Sequence, residues 1–417
     1  MAIKHDSARE DINSEMLGWA RAQAGLSLGE AARAIGLKDS TKKSAVEKLS
    51  ALEQGEKLPT RSQLSKIAQA YHRPLVTFYL SKPPIVAELG ADFRRLSEPV
   101  APRDKGLLDA LLRDLRTRQS MIRSILEDDE DREPLLFVNS LPLTTPIEQA
   151  AQKLHRFLEM DRVTPKDVNS PSEHFNALRQ SIERQGVFVL LIGNLGSHHS
   201  NISEKIFRGA VIADDMAPFI VINDQDAQTA RSFTLIHELV HLFVGSTGIS
   251  AAPNSEMPRT KHDKIERFCN DVASEVLLPS RSLASYAPIE TLDEANEIIP
   301  AIAAEYHVSE YLVAYRFWRD GKIRQGVFTA LSGSYAARWE ADKARKREES
   351  REKDGGGPSY YVVRRHRLGQ ALLQFVGQNI RSGELTHTKA AKLLSINTGS
   401  VERLLSQAAV AGSWQRP

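Results

Sequence analysis

The sequence predicts a mainly α protein with a small β-sheet near its middle, an α+β domain between all-α N-terminal and C-terminal regions. Three observations carry this. Apolar residues recur at helical spacing through most of the chain, punctuated by Gly, Pro and Ser. Three short apolar runs suit buried strands: Val187 to Ile192, Gly209-Ala210-Val211-Ile212 and Phe219-Ile220-Val221-Ile222-Asn223. Directly after them, Arg231 to Val244 is apolar and free of Pro and Gly, which predicts a helix.

At 417 residues the chain is long for one core, and several domains are expected. The predicted division is 14–80, 81–143, 144–330 and 331–417. Composition is ordinary for a globular protein, with 41% hydrophobic and 26% charged residues. The net charge of +2 means that any nucleic-acid binding must come from a local patch. The single cysteine, Cys269, excludes an intramolecular disulfide framework, fits a reducing cytoplasm and reads as a small buried residue. No apolar run is long enough to span a membrane, and Met1 to Arg9 lacks the apolar stretch of a signal peptide. A cytoplasmic location, intracellular substrates and no membrane partner are expected.

The elements follow in order. Met16-Leu17 and Trp19-Ala20 begin a helix that Gly25 stops. Ser27-Leu28-Gly29-Glu30 is a capping box, opening a helix with Ala31, Ala32 and Ile35 on its apolar face and Gly36 at its end. Val46, Leu49 and Leu52 resume the helical spacing up to Gly55, and Pro59 opens the next helix, with Leu64, Ile67 and Tyr71 inside. Ala20-Arg21, Gly25-Leu26-Ser27, Glu30-Ala31-Ala32, Gly36, Glu53-x-Gly55, Pro59 and Leu64-x-x-Ile67-Ala68 together resemble the Xre-type helix-turn-helix. The stretch Lys38 to Ala45 departs from that family by a longer turn. The resemblance implies a DNA-binding domain whose base-reading helix carries Val46 to Glu53, with Lys48, Ser50 and Ala51 exposed. Lys42, Lys43, Lys48 and Arg61 would then meet phosphates. The competing readings are a solvated face, since Glu47, Glu53 and Glu56 are interspersed, and a protein-docking module. A homodimer is expected, because one small helix-turn-helix contacts too few bases for tight specific binding.

Arg73-Pro74-Leu75, Pro83-Pro84 and Asp92-Phe93-Arg94 mark a linker, and Leu107 to Glu127 reads as a long amphipathic connector helix. Helices over Ile147 to Leu158 and Phe175 to Gln185 precede the strands, and His198-His199 read as surface residues of a Gly/Ser loop. The predicted helix Arg231 to Val244 contains His237-Glu238-x-x-His241. A spacing of four puts both imidazoles on one face, one turn apart, where they can bind one Zn²⁺. Glu238 lies beside them, able to take a proton from an attacking water. This pattern points to a hydrolase, most often a metallopeptidase. A zinc site of that kind needs a third protein ligand. Residues Ser246 to Lys261 read as loop, and a helix is predicted from about Lys264 to Leu278, closed by Pro279. Glu256, His262, Asp263, Glu266, Asp271 and Glu275 are all candidates, with Glu266 in the first turn of that helix.

Arg231-x-Phe233-Thr234-x-x-His237-Glu238-x-x-His241, followed by Ile265-Glu266-x-x-Cys269-Asn270-x-x-Ala273-x-x-x-Leu277-Leu278-Pro279, resembles the ImmA/IrrE family of metallo-endopeptidases. Arg208-Gly209 and Pro218-x-Ile220-x-Ile222-Asn223 fit as well, and the resemblance runs over about 145 to 325. It implies a zincin-like domain with His237, His241 and Glu266 as zinc ligands, Glu238 as catalytic base and Glu275 outside the ligand set. It also implies a regulatory protein as substrate, a transcriptional repressor or this chain itself, cleaved in a stress or mobile-element response.

Ile302 to Phe317 reads as helix, turn, helix with Ser309 as N-cap. Trp339 to Lys353 is a charged helical stretch, Asp354 to Pro358 a flexible linker, and Ser359 to about Gln407 a last helical unit with a helix-turn-helix rhythm. The expected protein is a cytoplasmic DNA-binding regulator joined to a zinc endopeptidase. The rival reading is a transcription factor whose zinc site is sensory or structural and cleaves nothing.

Overall fold

The computed structural model describes residues 11–84, 100–162, 168–197, 200–250, 260–352 and 359–406. Asp92, Phe93, Arg94, His198, His199, Glu256 and the stretch 354–358 lie outside them. The described residues fall into two compact units, 11–117 with 194–206, and 118–193 with 207–406. The architecture is mainly α with one small mixed sheet of four strands.

The first unit opens with four short helices: α1 (Ser14–Gln23), α2 (Leu28–Ile35), α3 (Ala45–Glu53) and α4 (Arg61–Ala70). Capping boxes start three of them: Ser27 with Glu30, Ser44 with Glu47 and Thr60 with Gln63. Each satisfies amides that the first helical turn leaves free. Met16, Leu17, Ala32, Leu49, Ile67 and Phe78 meet in the core. Arg21 of α1 grips Glu53 of α3 through two hydrogen bonds, of 2.8 and 3.0 Å, and also donates to the Leu26 carbonyl.

The expected exposure of Lys48, Ser50 and Ala51 needs correction. Ala51 is buried, 8% exposed, because the face of α3 that carries it packs inward, so it is unavailable to a base. Lys48 is half-buried, and its ammonium donates to the Lys38 carbonyl at 2.7 Å. It closes the long turn. Ser50 is half-buried, while Lys42, Lys43 and Arg61 are exposed. The turn over residues 36–44 is itself ordered by hydrogen bonds from Ser40 N to the Lys43 carbonyl and from Ala45 N to Asp39 Oδ1.

The helix α5 (Pro102–Glu127) contributes residues to both units. In the second unit come α6 (Ile147–Phe157) and α7 (Pro171–Arg184), then β1 (Phe188–Leu191), β2 (Gly209–Ile212) and β3 (Phe219–Ile222). The helix α8 (Gln228–Val244) follows, then β4 (Gly248–Ser250). The sheet order is β1-β3-β2-β4, with β1 and β3 parallel and the other pairs antiparallel. β4 lies within the span the sequence predicts as loop. Three residues beginning with Gly are too few to show a strand period, and pairing with β2 supplies what local pattern does not.

α8 is buried continuously from Thr234 to Phe243, the mark of a core helix, and Gly245 ends it in a left-handed conformation, φ 74°. It packs on the sheet and on α9 (Lys261–Leu277). A capping box of Thr260 and Asp263 starts α9 about a turn earlier than predicted, so Glu266 is in its second turn, not its first. Next come a short turn of helix (α10, Ser280–Leu283), α11 (Leu292–Glu305) and α12 (Glu310–Arg319), the last capped by Ser309 as expected.

The helix α13 (Gln325–Glu352) runs unbroken through position 330, where the sequence reading ends the middle domain. The last four helices are α14 (Tyr360–Leu368), α15 (Gln370–Ser382), α16 (His387–Leu394) and α17 (Val401–Ser406). They are fastened to the sheet by a buried pair on α7. Arg179 donates to the Val189 carbonyl of β1 and to the His366 carbonyl, and Glu183 accepts from Gln370 N at 3.1 Å. Gly369 crosses directly over this pair at φ 79°. A Cβ there would lie 2.1 Å from Glu183 Oε1 and 2.7 Å from the Val189 carbonyl oxygen, so a side chain is excluded by space as well as by backbone conformation.

Candidate metal centre

α8 and α9 bring His237, His241 and Glu266 together. The two histidine Nε2 atoms are 3.1 Å apart. Glu266 presents Oε2 to His237 at 3.3 Å and Oε1 to His241 at 3.2 Å. Donor atoms around one tetrahedral zinc, each about 2.05 Å from the ion, stand about 3.3 Å from one another. The cluster therefore has the donor set and the spacing of a metal site, and among the described residues it is the one such group of three. Burial opposes charge on Glu266, but His241 and His237 outweigh it and hold its carboxyl well below the usual range.

Glu238 is fully buried, and neither carboxylate oxygen accepts a hydrogen bond of good geometry. Burial pushes its carboxyl up, against the pull of the two imidazoles and the Ser250 hydroxyl of β4. A buried carboxylate so weakly hydrogen-bonded is costly inside a protein and commonly marks a functional group. Its place is defined by Gly209 of β2. A Cβ on Gly209 would lie 2.3 Å from Glu238 Oε1 and 2.8 Å from Thr234 Cγ2. The carboxylate occupies the space a side chain at 209 would fill.

Of the remaining candidates for a third ligand, Asp263, Asp271 and Glu275 are occupied elsewhere, and Glu256 lies outside the described residues. Asp271 accepts from the Tyr315 hydroxyl at 2.8 Å and from the Arg319 guanidinium at 2.6 and 2.9 Å. Glu275 accepts from Arg316 at 2.6 Å and from Ser280. These bonds clamp α12 onto α9. Asp263 caps α9. His262 stays near, its Nε2 3.8 Å from Glu266 Oε1.

Sequence reasoning assigned no role to two further residues here. Cys269 is fully buried as expected, yet its thiol interacts with the His241 imidazole, and burial keeps that thiol's pKa raised. Its position three residues after Glu266, on the same face of one helix, is the signal that could have found it. Ser250 depends on β4, which the local pattern hides. The residues that carried the resemblance upstream knit the entry to α8. Arg231 donates to the Asp224 and Asp226 carbonyls at 2.7 and 3.1 Å, and the Asn223 amide donates to the Phe207 carbonyl at 2.7 Å.

Residues 184–317 match the family model of the IrrE N-terminal-like domain, a peptidase family designated M78. The match takes in the whole sheet, the two metal-site helices and most of α12, and leaves both ends of the chain outside. No curated protein and no solved structure matches the chain. The matched segment thus fits a peptidase-type domain, and its three clustered side chains fit a metal-dependent one. No helix among the described residues is long and apolar enough to cross a membrane.

Proposed function

We propose that this protein is a zinc-dependent endopeptidase, of zincin-like fold, joined to a DNA-binding helix-turn-helix. The observation that carries the catalytic part is the pairing of a three-donor cluster with the buried carboxylate of Glu238, neither oxygen of which accepts a hydrogen bond of good geometry. A structural metal site has no need of such a carboxylate, which favours catalysis over a purely sensory role. His237, His241 and Glu266 would hold the ion. A bound zinc supplies Lewis acidity to the scissile carbonyl and makes a nearby water a stronger acid. Glu238 takes the proton from the attacking water and returns it to the leaving amine. The substrate is a regulatory protein, a repressor or this chain itself.

For the DNA-binding part, the support is the run of capped helices in residues 14–80 and the exposed Lys42, Lys43 and Arg61. The cleavage reading is tested by incubating the purified chain and its Glu238→Gln variant with candidate repressors and mapping new termini by mass spectrometry. Cuts made by the wild type and absent with the variant are expected. Equal cutting by both, or none by either against any cellular protein, would sink it.

A further inference from the structure

The last helical unit carries a second motif that the peptidase reading leaves unused. α16 has eight residues, with the Thr386 side chain capping its start. It ends at Ser395, φ 47° and ψ 52°, a left-handed conformation that non-glycine residues rarely adopt. A turn over 395–397 then leads through a single 3-10 turn, Thr398–Ser400, into α17. Ala390, Leu394, Val401 and Leu404 are buried in this unit. Two helices joined by a short turn are the geometry of a helix-turn-helix, and here the six residues 395–400 join them. The N-terminal unit shares the eight-residue helix and its left-handed end, α2 and Gly36, but residues 36–44 separate α2 from α3. The compact turn belongs to the C-terminal pair.

Charge points to the partner. Residues 359–406 hold seven Arg and Lys against two Glu, in a chain whose totals are 55 and 53. Some of these cations build the unit. Arg364 donates to the Leu394 and Ser395 carbonyls at the end of α16, Arg367 pairs with Asp224 at 2.6 Å, and Arg403 lies over the Tyr361 ring. Arg381, Lys389 and Lys392 are exposed. The acid on the second helix, Glu402, is paired with His387 at 2.6 Å. Asn397 and Thr398 are exposed at the start of the 3-10 turn that leads into that helix, beside the place from which a helix-turn-helix reads base edges.

We propose that residues 386–406 form a second duplex-DNA-binding helix-turn-helix, in which Lys389 and Lys392 meet phosphates and Asn397 and Thr398 face the major groove. The Arg179–Glu183 anchor fixes this unit to the sheet of the peptidase-type domain. DNA held here would be held by the peptidase body directly.

The experiment uses the full chain with Lys42→Glu and Lys43→Glu, which disables the N-terminal basic turn, and titrates it against labelled duplex DNA at several salt concentrations. Binding is expected to persist at low salt. Adding Lys389→Glu and Lys392→Glu should weaken it at least roughly tenfold and lower the slope of log K against log salt by about two. The charge-matched pair Arg345→Glu and Lys346→Glu on α13 should not. If the 42/43 variant binds no DNA, or the 389/392 change has no more effect than the α13 control, the proposal is overturned. Failure of the N-terminal DNA reading has a different outcome, unchanged affinity in the 42/43 variant. Where circular dichroism shows that the Glu variants misfold, Lys389→Gln and Lys392→Gln replace them under the same criteria.

Discussion

Position 209 has no side chain because the carboxylate of Glu238 fills the space one would take. Gly209→Ala should push that carboxylate aside while leaving the three metal donors on α8 and α9 in place. The expected result is normal metal content with proteolysis reduced on the order of 10²-fold, the scale of a displaced general base. Metal analysis beside a cleavage rate decides it, and unchanged cleavage would show that Gly209 does not set the carboxylate. His174 gives a second single-residue expectation. It is fully buried, neither ring nitrogen has a hydrogen-bond partner, and burial, then the neighbouring His307, pushes its pKa down to about 4. In the unfolded chain it protonates near 6.5. Between those values the unfolded state binds more proton, so this contribution is complete above about 6.5 and is lost as pH falls towards 4, on the order of 3 kcal/mol. Thermal melts across that range should show a steeper acid loss for the wild type than for His174→Leu. Parallel profiles would mean that the imidazole is hydrated in solution.

At the scale of elements, legibility followed the range of the interactions. His237, Glu238 and His241 could be read from the sequence because one helical turn relates them, and no tertiary knowledge is needed. Glu266 could not be chosen from the residues alone, since six downstream side chains offered an oxygen or nitrogen. The structure separates them through α12, whose Tyr315, Arg316 and Arg319 occupy Asp271 and Glu275. β4 and Ser250 were hidden because three residues carry no period. The Thr260–Asp263 capping box starts α9 inside a stretch whose Gly, Pro, Ser and Asn read as loop, and the Ser44–Glu47 box stands behind the longer turn. Ala51 is buried rather than exposed because the rotation of α3 is set by packing and not by charge pattern. The helices α14 and α15 depend on long-range bonds of the same kind. Glu183→Gln would leave Arg179 charged and buried without its counter-ion, a loss of about 3–5 kcal/mol. Limited proteolysis should then cut residues 359–406 earlier than in the wild type. An unaltered cleavage pattern would show that apolar packing alone, such as Phe188 against Phe375, holds the unit.

Across the whole molecule, both ends carry helices with exposed cations, and the middle carries the metal-type cluster. A near-neutral total charge conceals this, because 55 basic and 53 acidic residues cancel in sum but not in place. The family match covers the middle alone, and what that segment binds is the first property to measure. The most direct measurement is the metal content of purified full-length protein by elemental mass spectrometry, for the wild type, Glu266→Ala and Glu238→Gln. About one zinc per chain is expected in the wild type, with a large loss in Glu266→Ala and full retention in Glu238→Gln. Full zinc in Glu266→Ala, or none in the wild type, would contradict that expectation.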